Sequence, residues 1–168
     1  MPGNVIKLRF TLNEKQVLLQ CHPGTRLLDI LRHDFGLKGT REGCSQGECG
    51  ACLVLMNGLS VNSCLIPAFA LTDSEILTIE GILSLKSFTD IRKSFADIQS
   101  YRCGFCSSGM QVALAELLLT NREPNAEEIR RALSGNLCAC GSYNGVVEAV
   151  LQSSSRKRRY GRRRSERS

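Results

Sequence analysis

Residues 41–52 read REGCSQGECGAC, placing three cysteines and three glycines in twelve positions. Four explanations compete for thiols at that density: a disulfide knot, a zinc site, an iron–sulfur cluster, or small buried side chains with no chemistry. The whole chain holds nine cysteines, an odd number that leaves one thiol over from any fully paired scheme. The opening MPGNVIKLRFTLNEKQ lacks the apolar stretch of a secretion signal, and no run approaches the length of a membrane span. The expectation is a cytoplasmic chain with no membrane association. There disulfides do not persist, and clustered thiols are metal ligands.

Spacing narrows the choice. Cys44, Cys49 and Cys52 form C-x4-C-x2-C, and Cys64 arrives from a separate segment with eleven residues between it and Cys52. The triplet is the plant-type [2Fe-2S] spacing, completed by a distant fourth thiolate. A zinc site usually pairs two C-x2-C knuckles, and Cys44 with Cys64 supplies no second one. The glycines fit the same reading. Gly43, Gly47 and Gly50 are expected to allow positive φ and close approach, so that backbone N–H groups reach the sulfurs.

A second group is Cys103-Gly-Phe-Cys106, followed thirty-one residues later by Cys138-Ala-Cys140. Taken alone, that pattern leaves zinc as a competitor. Both pairs fall at ends of predicted helices, so two helical hairpins bring their loops together, with helix N-termini favouring the thiolate form. Cys21, the ninth, is expected to be a small buried hydrophobe.

Around these loops the chain divides in two. VIKLRFTL (5–12) and QVLLQC (16–21) read as strands joined by a turn at Asn13–Lys15. Thr25 is expected to cap RLLDILRHDF, whose Leu27, Leu28, Leu31 and Phe35 have helical spacing before Gly36 stops it. LVLM (53–56) and LSVNS (59–63) flank Asn57-Gly58, a two-residue hairpin signal. EILTIE (75–80) reads as one more strand.

Beyond residues 81–87 the pattern turns helical. Ile91, Phe95 and Ile98 make a stripe, and SGMQVALAELLL (108–119) is a strongly apolar helix, with Ser107 as its expected cap. Asn125 and Glu128 bracket a capping box for AEEIRRALSG, with Gly135 as its stop, and a last helix runs from about Tyr143 to Gln152. With 42% apolar and only 5% aromatic residues, the core is expected to be aliphatic.

The net charge of +6 is a property of one end. From Arg156 to Ser168 eight basic residues face Glu166 alone, which leaves the body close to neutral. A nucleic-acid footprint is expected on a folded surface, so the balance argues against one. The tail lacks interleaved aromatics and reads as a solvated terminus. His22 and His33, the only histidines, are expected at the solvated surface, and neither belongs to a catalytic set.

EGCSQGECGAC, the SCL around Cys64, CGFC and GNLCAC, in that order, resemble the small iron–sulfur subunit of molybdenum hydroxylases of the xanthine dehydrogenase type. The likeness covers residues 5 to about 152. It implies an α+β chain: a plant-ferredoxin-like (β-grasp) domain over 1–82, an all-α four-helix domain over 83–152, and a basic tail over 153–168. Each domain would hold one [2Fe-2S] cluster, on Cys44, Cys49, Cys52 and Cys64 in the first and on Cys103, Cys106, Cys138 and Cys140 in the second.

By the same resemblance a large molybdopterin-binding subunit and an FAD-binding subunit are the partners, in a dimer of heterotrimers. Electrons leave the molybdenum centre singly, pass the second cluster and then the first, and reach FAD. This chain itself lacks the substrate site, and the holoenzyme substrate is expected to be a purine such as xanthine or another N-heterocycle.

The chain departs from the family pattern in three places. Arg102 stands where the family has a Gln that contacts the pterin, so a pterin contact is carried over to a positive fork. CGFCSSG replaces CGFCTPG. CACGSY replaces CRCTGY, changing the surroundings of Cys138 and Cys140 but not the ligands. Two other readings compete with the relay subunit: a free-standing ferredoxin-like carrier, and a zinc-stabilised nucleic-acid-binding module.

Overall fold

The computed structural model describes residues 5–86, 89, 92 and 103–153. The stripe of Ile91, Phe95 and Ile98, Arg102 and the basic tail lie outside the described residues.

Strand β1 (Ile6–Leu12) buries Leu8, Phe10 and Leu12, every second residue, as the period of an extended chain requires. It pairs antiparallel with β2 (Lys15–Cys21) across a turn in which Asn13 and Glu14 sit at φ of 47° and 66°. Those values are the mirror-image turn whose twist matches a hairpin. Strands β3 (Leu53–Met56) and β4 (Leu59–Asn62) repeat the device, with Asn57 at 53° and Gly58 at 84°. Strand β5 (Glu75–Leu77) enters between the hairpins, parallel to β1 and antiparallel to β3. The sheet is therefore mixed, with order β2-β1-β5-β3-β4.

The segment expected to be strand over 75–80 stops at Leu77. Thr78 gives its backbone N–H to the Asn13 side chain at 2.9 Å instead of a ladder partner, and a helix begins at Ile79.

One helical segment crosses the sheet: α1 (Leu27–Asp29), continued as a π turn over Ile30–Asp34. Gly36, at φ +65°, ends it as expected. Thr25 does not cap it. Arg26 holds the cap position, and Leu27 N–H reaches the Ile66 carbonyl at 2.8 Å while Thr25 O accepts from Ala68 N. The incoming 66–68 chain thus does the work of a side-chain cap.

The second half supplies α2 (Ile79–Ser84), α3 (Ser107–Thr120), α4 (Ala126–Ala132) and α5, a helix over 143–153. The Asn125–Glu128 capping box forms in full. Ser107 is inside α3 rather than its cap; Cys106 takes that position, and the Ser107 hydroxyl donates back to Gly104 O at 2.7 Å. Helix α4 closes on Leu133, whose N–H reaches Ile129 O, and Gly135 is not left-handed.

Two aliphatic cores share β3. Val54 faces the one formed by α1 and β1, with Leu27, Ile30, Phe10 and Ile76. Leu55, on the opposite face, enters the one formed by Met110, Leu114, Ile129, Val146 and Val150. Burying each such side chain stabilises the fold by about 1.5–3 kcal/mol, so β3 fixes the helices to the sheet. That is why both cysteine groups meet along its entrance.

Candidate metal centres

The loop before β3 carries Cys44, Cys49 and Cys52, and the 3-10 turn after β4 (Ser63–Leu65) brings Cys64 to it. Ser63 ties the two ends together, its N–H and hydroxyl both reaching Cys52 O, at 3.3 and 2.8 Å. Asn62 adds a bond from its amide to Gly47 O at 3.0 Å. Cys52 and Cys64 are buried against Leu28.

The loop wraps inward. Cys44 Sγ accepts from the backbone N–H of Gln46 and Glu48 at 3.5 and 3.2 Å, and Cys49 Sγ accepts from Cys44 N at 3.4 Å. Gly47 and Gly50 lie at φ +82° and +66°, as their expected role demands. Gly43 does not. It is required for space, since a Cβ there would stand 2.6 Å from Cys49 Sγ. Ser45, which the glycine pattern did not single out, takes a positive φ of 59°.

Environment separates Cys44 from Cys64. The Gln46 N–H, with Cys49 and Glu48 behind it, holds Cys44 down at about 7. Burial, reinforced by Cys52, pushes Cys64 up to about 11.

Cys103 and Cys106 open α3, while Cys138 and Cys140 occupy the turn between α4 and α5. The structure brings them together as expected: Cys140 Sγ lies 3.8 Å from Cys103 Sγ and 3.7 Å from Cys138 Sγ. Ser142 Oγ is 3.8 Å from Cys140 Sγ, and the Tyr143 hydroxyl accepts from Cys138 N–H at 2.9 Å while donating to Asn136 O.

The Phe105 N–H lowers Cys103. Cys138 falls to about 7, because bonds from Ser142 N–H, Cys106 and Cys140 together outweigh its burial. Cys106 departs from the helix-dipole expectation: burial, then its neighbour Cys138, pushes it up to about 12. Desolvation wins there over the helix end.

The two groups are adjacent. Leu137 N–H donates to Cys49 O at 3.0 Å, and the Asn136 amide donates to Gly50 O at 3.0 Å. Phe105, between Cys103 and Cys106, lies under the Arg41 guanidinium, 5.7 Å from its ring centre. Asn136, Tyr143, Asn62 and Ser63 were not among the sequence candidates. Ser63, Asn136 and Tyr143 fall inside the SCL, GNLCAC and CACGSY stretches, but the sequence assigned none of them a role.

Cys21, expected to be buried, is only half-buried, packed against the edge of the first core. His22 and His33 are both exposed. Among the described residues, no three Cys, His, Asp or Glu side chains gather about a single-ion position. None of the described helices is long and apolar enough to cross a membrane.

The donor sets fit [2Fe-2S] clusters: two groups of four thiols, each drawn from two segments of the chain, with backbone N–H groups turned onto sulfurs. Fold and thiols together define a two-centre ferredoxin-type protein.

Two family models match end to end, a 2Fe-2S iron-sulfur cluster binding domain over residues 10–77 and a [2Fe-2S] binding domain over 78–151. The nicotinate dehydrogenase small FeS subunit of Eubacterium barkeri is 40% identical over 88% of this chain and 94% of its own. The xanthine dehydrogenase iron-sulfur-binding subunit of Escherichia coli O157:H7 is 37% identical over 89% of this chain and 94% of its own. A chain of quinoline 2-oxidoreductase from Pseudomonas putida 86 superposes with a TM-score of 0.84 at 33% identity, over 92% of this chain and 97% of that one.

The chain belongs to the small iron–sulfur subunits of molybdenum hydroxylases of the xanthine dehydrogenase family. It is the iron–sulfur part of an oxidoreductase.

Proposed function

We propose that this chain carries electrons one at a time from a molybdopterin centre on a large partner subunit to FAD on another. The observation that carries this is the contact between the two cysteine loops, where Leu137 bonds to Cys49 and Asn136 to Gly50. Cys103, Cys106, Cys138 and Cys140 would hold the cluster on the pterin side, and Cys44, Cys49, Cys52 and Cys64 the one on the flavin side. When bound, such clusters accept and release single electrons at potentials set by hydrogen bonds and exposure.

The residues of this chain do the rest. Gln46 and Glu48 N–H groups stabilise negative charge on Cys44 Sγ. Burial of Cys52, Cys64 and Cys106 keeps water from those sulfurs. Exposed Leu65 and Phe69 follow Cys64, and exposed Phe105 and Leu137 flank the second group, leaving apolar surface beside each for a partner subunit.

The same reading divides the chain into a β-grasp domain over 1–82, a four-helix domain over 83–152 and a tail from 153. It puts Arg102 towards the pterin and the complex, a dimer of heterotrimers, in the cytoplasm. Relatives named for nicotinate, nicotine, xanthine and aldehydes make the substrate class wider than purines, and an N-heterocycle is the choice that most of those names support.

Anaerobic purification of the native complex tests this. A large pterin-binding chain and a flavoprotein should copurify, and an N-heterocycle from a panel with aldehydes should bleach the cluster absorbance. Recovery of this chain alone, with no substrate-dependent bleaching, would contradict it.

A further inference from the structure

Asn136 is 2% exposed and joins the two cysteine loops. Its amide donates to Gly50 O at 3.0 Å, beside Cys49. Its own carbonyl accepts from the Tyr143 hydroxyl, which in turn receives Cys138 N–H at 2.9 Å. One residue thereby connects the backbone of the first loop to the turn that presents Cys138.

Stability is a poor reason for a polar side chain here. Asn136 Oδ1 is buried with no hydrogen-bond partner among the described residues. One bond made and one buried acceptor left unmade roughly cancel, so the side chain adds little net stability. Geometry is the better reason. The amide bonds to the Gly50 carbonyl, and Gly109 packs against that same oxygen so closely that an added Cβ there would collide with it.

We propose that Asn136 is a positioning residue for electron exchange between the two centres, fixing the spacing and orientation of the loops that carry them. This rests on reading the eight cysteines as ligands of two clusters. The exchange moves one electron, so one centre gains what the other loses, and no bond is made or broken.

The test compares wild type, Asn136→Leu and Asn136→Ala in the intact complex. Its readouts are metal content, the magnetic interaction splitting in EPR of the doubly reduced protein, and the rate at which reduction passes between the centres. Of the two, leucine is expected to fold better, since it fills space that alanine leaves empty, while both take the same donor from Gly50 O.

Both variants should retain iron for two clusters, with an altered splitting and an exchange rate lowered several-fold. Unchanged splitting and rate with both clusters present would overturn the proposal. Loss of a cluster in both variants would overturn it too, making Asn136 a scaffold only. Wild-type complex without two cluster signals would fail the cluster reading itself and the proposal with it.

Discussion

The backbone N–H of Leu137 donates to the carbonyl of Cys49 at 3.0 Å, so the residue preceding Cys138 is bonded directly to a cysteine of the other group. That bond needs the two loops closer than side chains would allow. Gly50, at φ +66°, provides the space: a Cβ there would run into Gly135 O and the Asn136 amide.

Gly50→Ala should therefore be strongly destabilising. A left-handed backbone costs a non-glycine residue roughly 1–2 kcal/mol, and forcing a methyl into a packed contact adds about 1–3 kcal/mol. Urea unfolding of the purified holoprotein should show a clear fall in midpoint. An unchanged midpoint would mean that the loops are not in contact.

Ligand substitution separates the centres. Cys44→Ser or Cys64→Ser should halve the iron and remove one EPR signal, while Cys103→Ser or Cys140→Ser should remove the other. Iron analysis alongside spectra of the four variants provides the check. If one substitution erases both signals in an otherwise folded protein, the thiols do not form two independent sets.

Tyr143 supports the second centre from outside it. Tyr143→Phe leaves Cys138 N–H and Asn136 O without their present partner, at a cost of about 1–3 kcal/mol in stability. It should also move the reduction potential of the second centre and leave the first unaltered, as redox titration followed by EPR would show.

The capping box is a control at the end of α4 away from the Cys138–Cys140 turn. Asn125 accepts from Glu127 N and Glu128 N at 2.9 and 3.0 Å, and the Glu128 carboxylate accepts in return from Asn125 N–H. Asn125→Ala should cost about 1 kcal/mol, visible as a lowered melting temperature, with both cluster spectra unchanged.

Features written by local chemistry were legible in the sequence. Asn57-Gly58 specified its hairpin, Asn125 and Glu128 their cap, and the x4–x2 spacing of Cys44, Cys49 and Cys52 a wrapped loop. What depended on a distant partner was not. Thr25 failed as a cap because backbone from residues 66–68 reached the helix first. The strand at Glu75 stopped short because Asn13, more than sixty residues earlier, captured Thr78.

The same holds at the site. Gly43 looked like Gly47 in the sequence, yet one gives room to Cys49 Sγ and the other takes a left-handed backbone. Cys106 looked like a helix-end thiolate, but the core that α3 helps to build buries it. Asn136 lies in the GNLCAC stretch that carried the resemblance, but its role was not legible there, since its partner Gly50 is 86 residues away.

Metal analysis with low-temperature EPR on anaerobically purified protein tests most directly whether the chain holds two [2Fe-2S] clusters. Iron should dominate the metal content, and reduction should bring up two distinct rhombic signals, one for each set of four cysteines. Zinc in place of iron, with no reducible signal, would contradict the assignment.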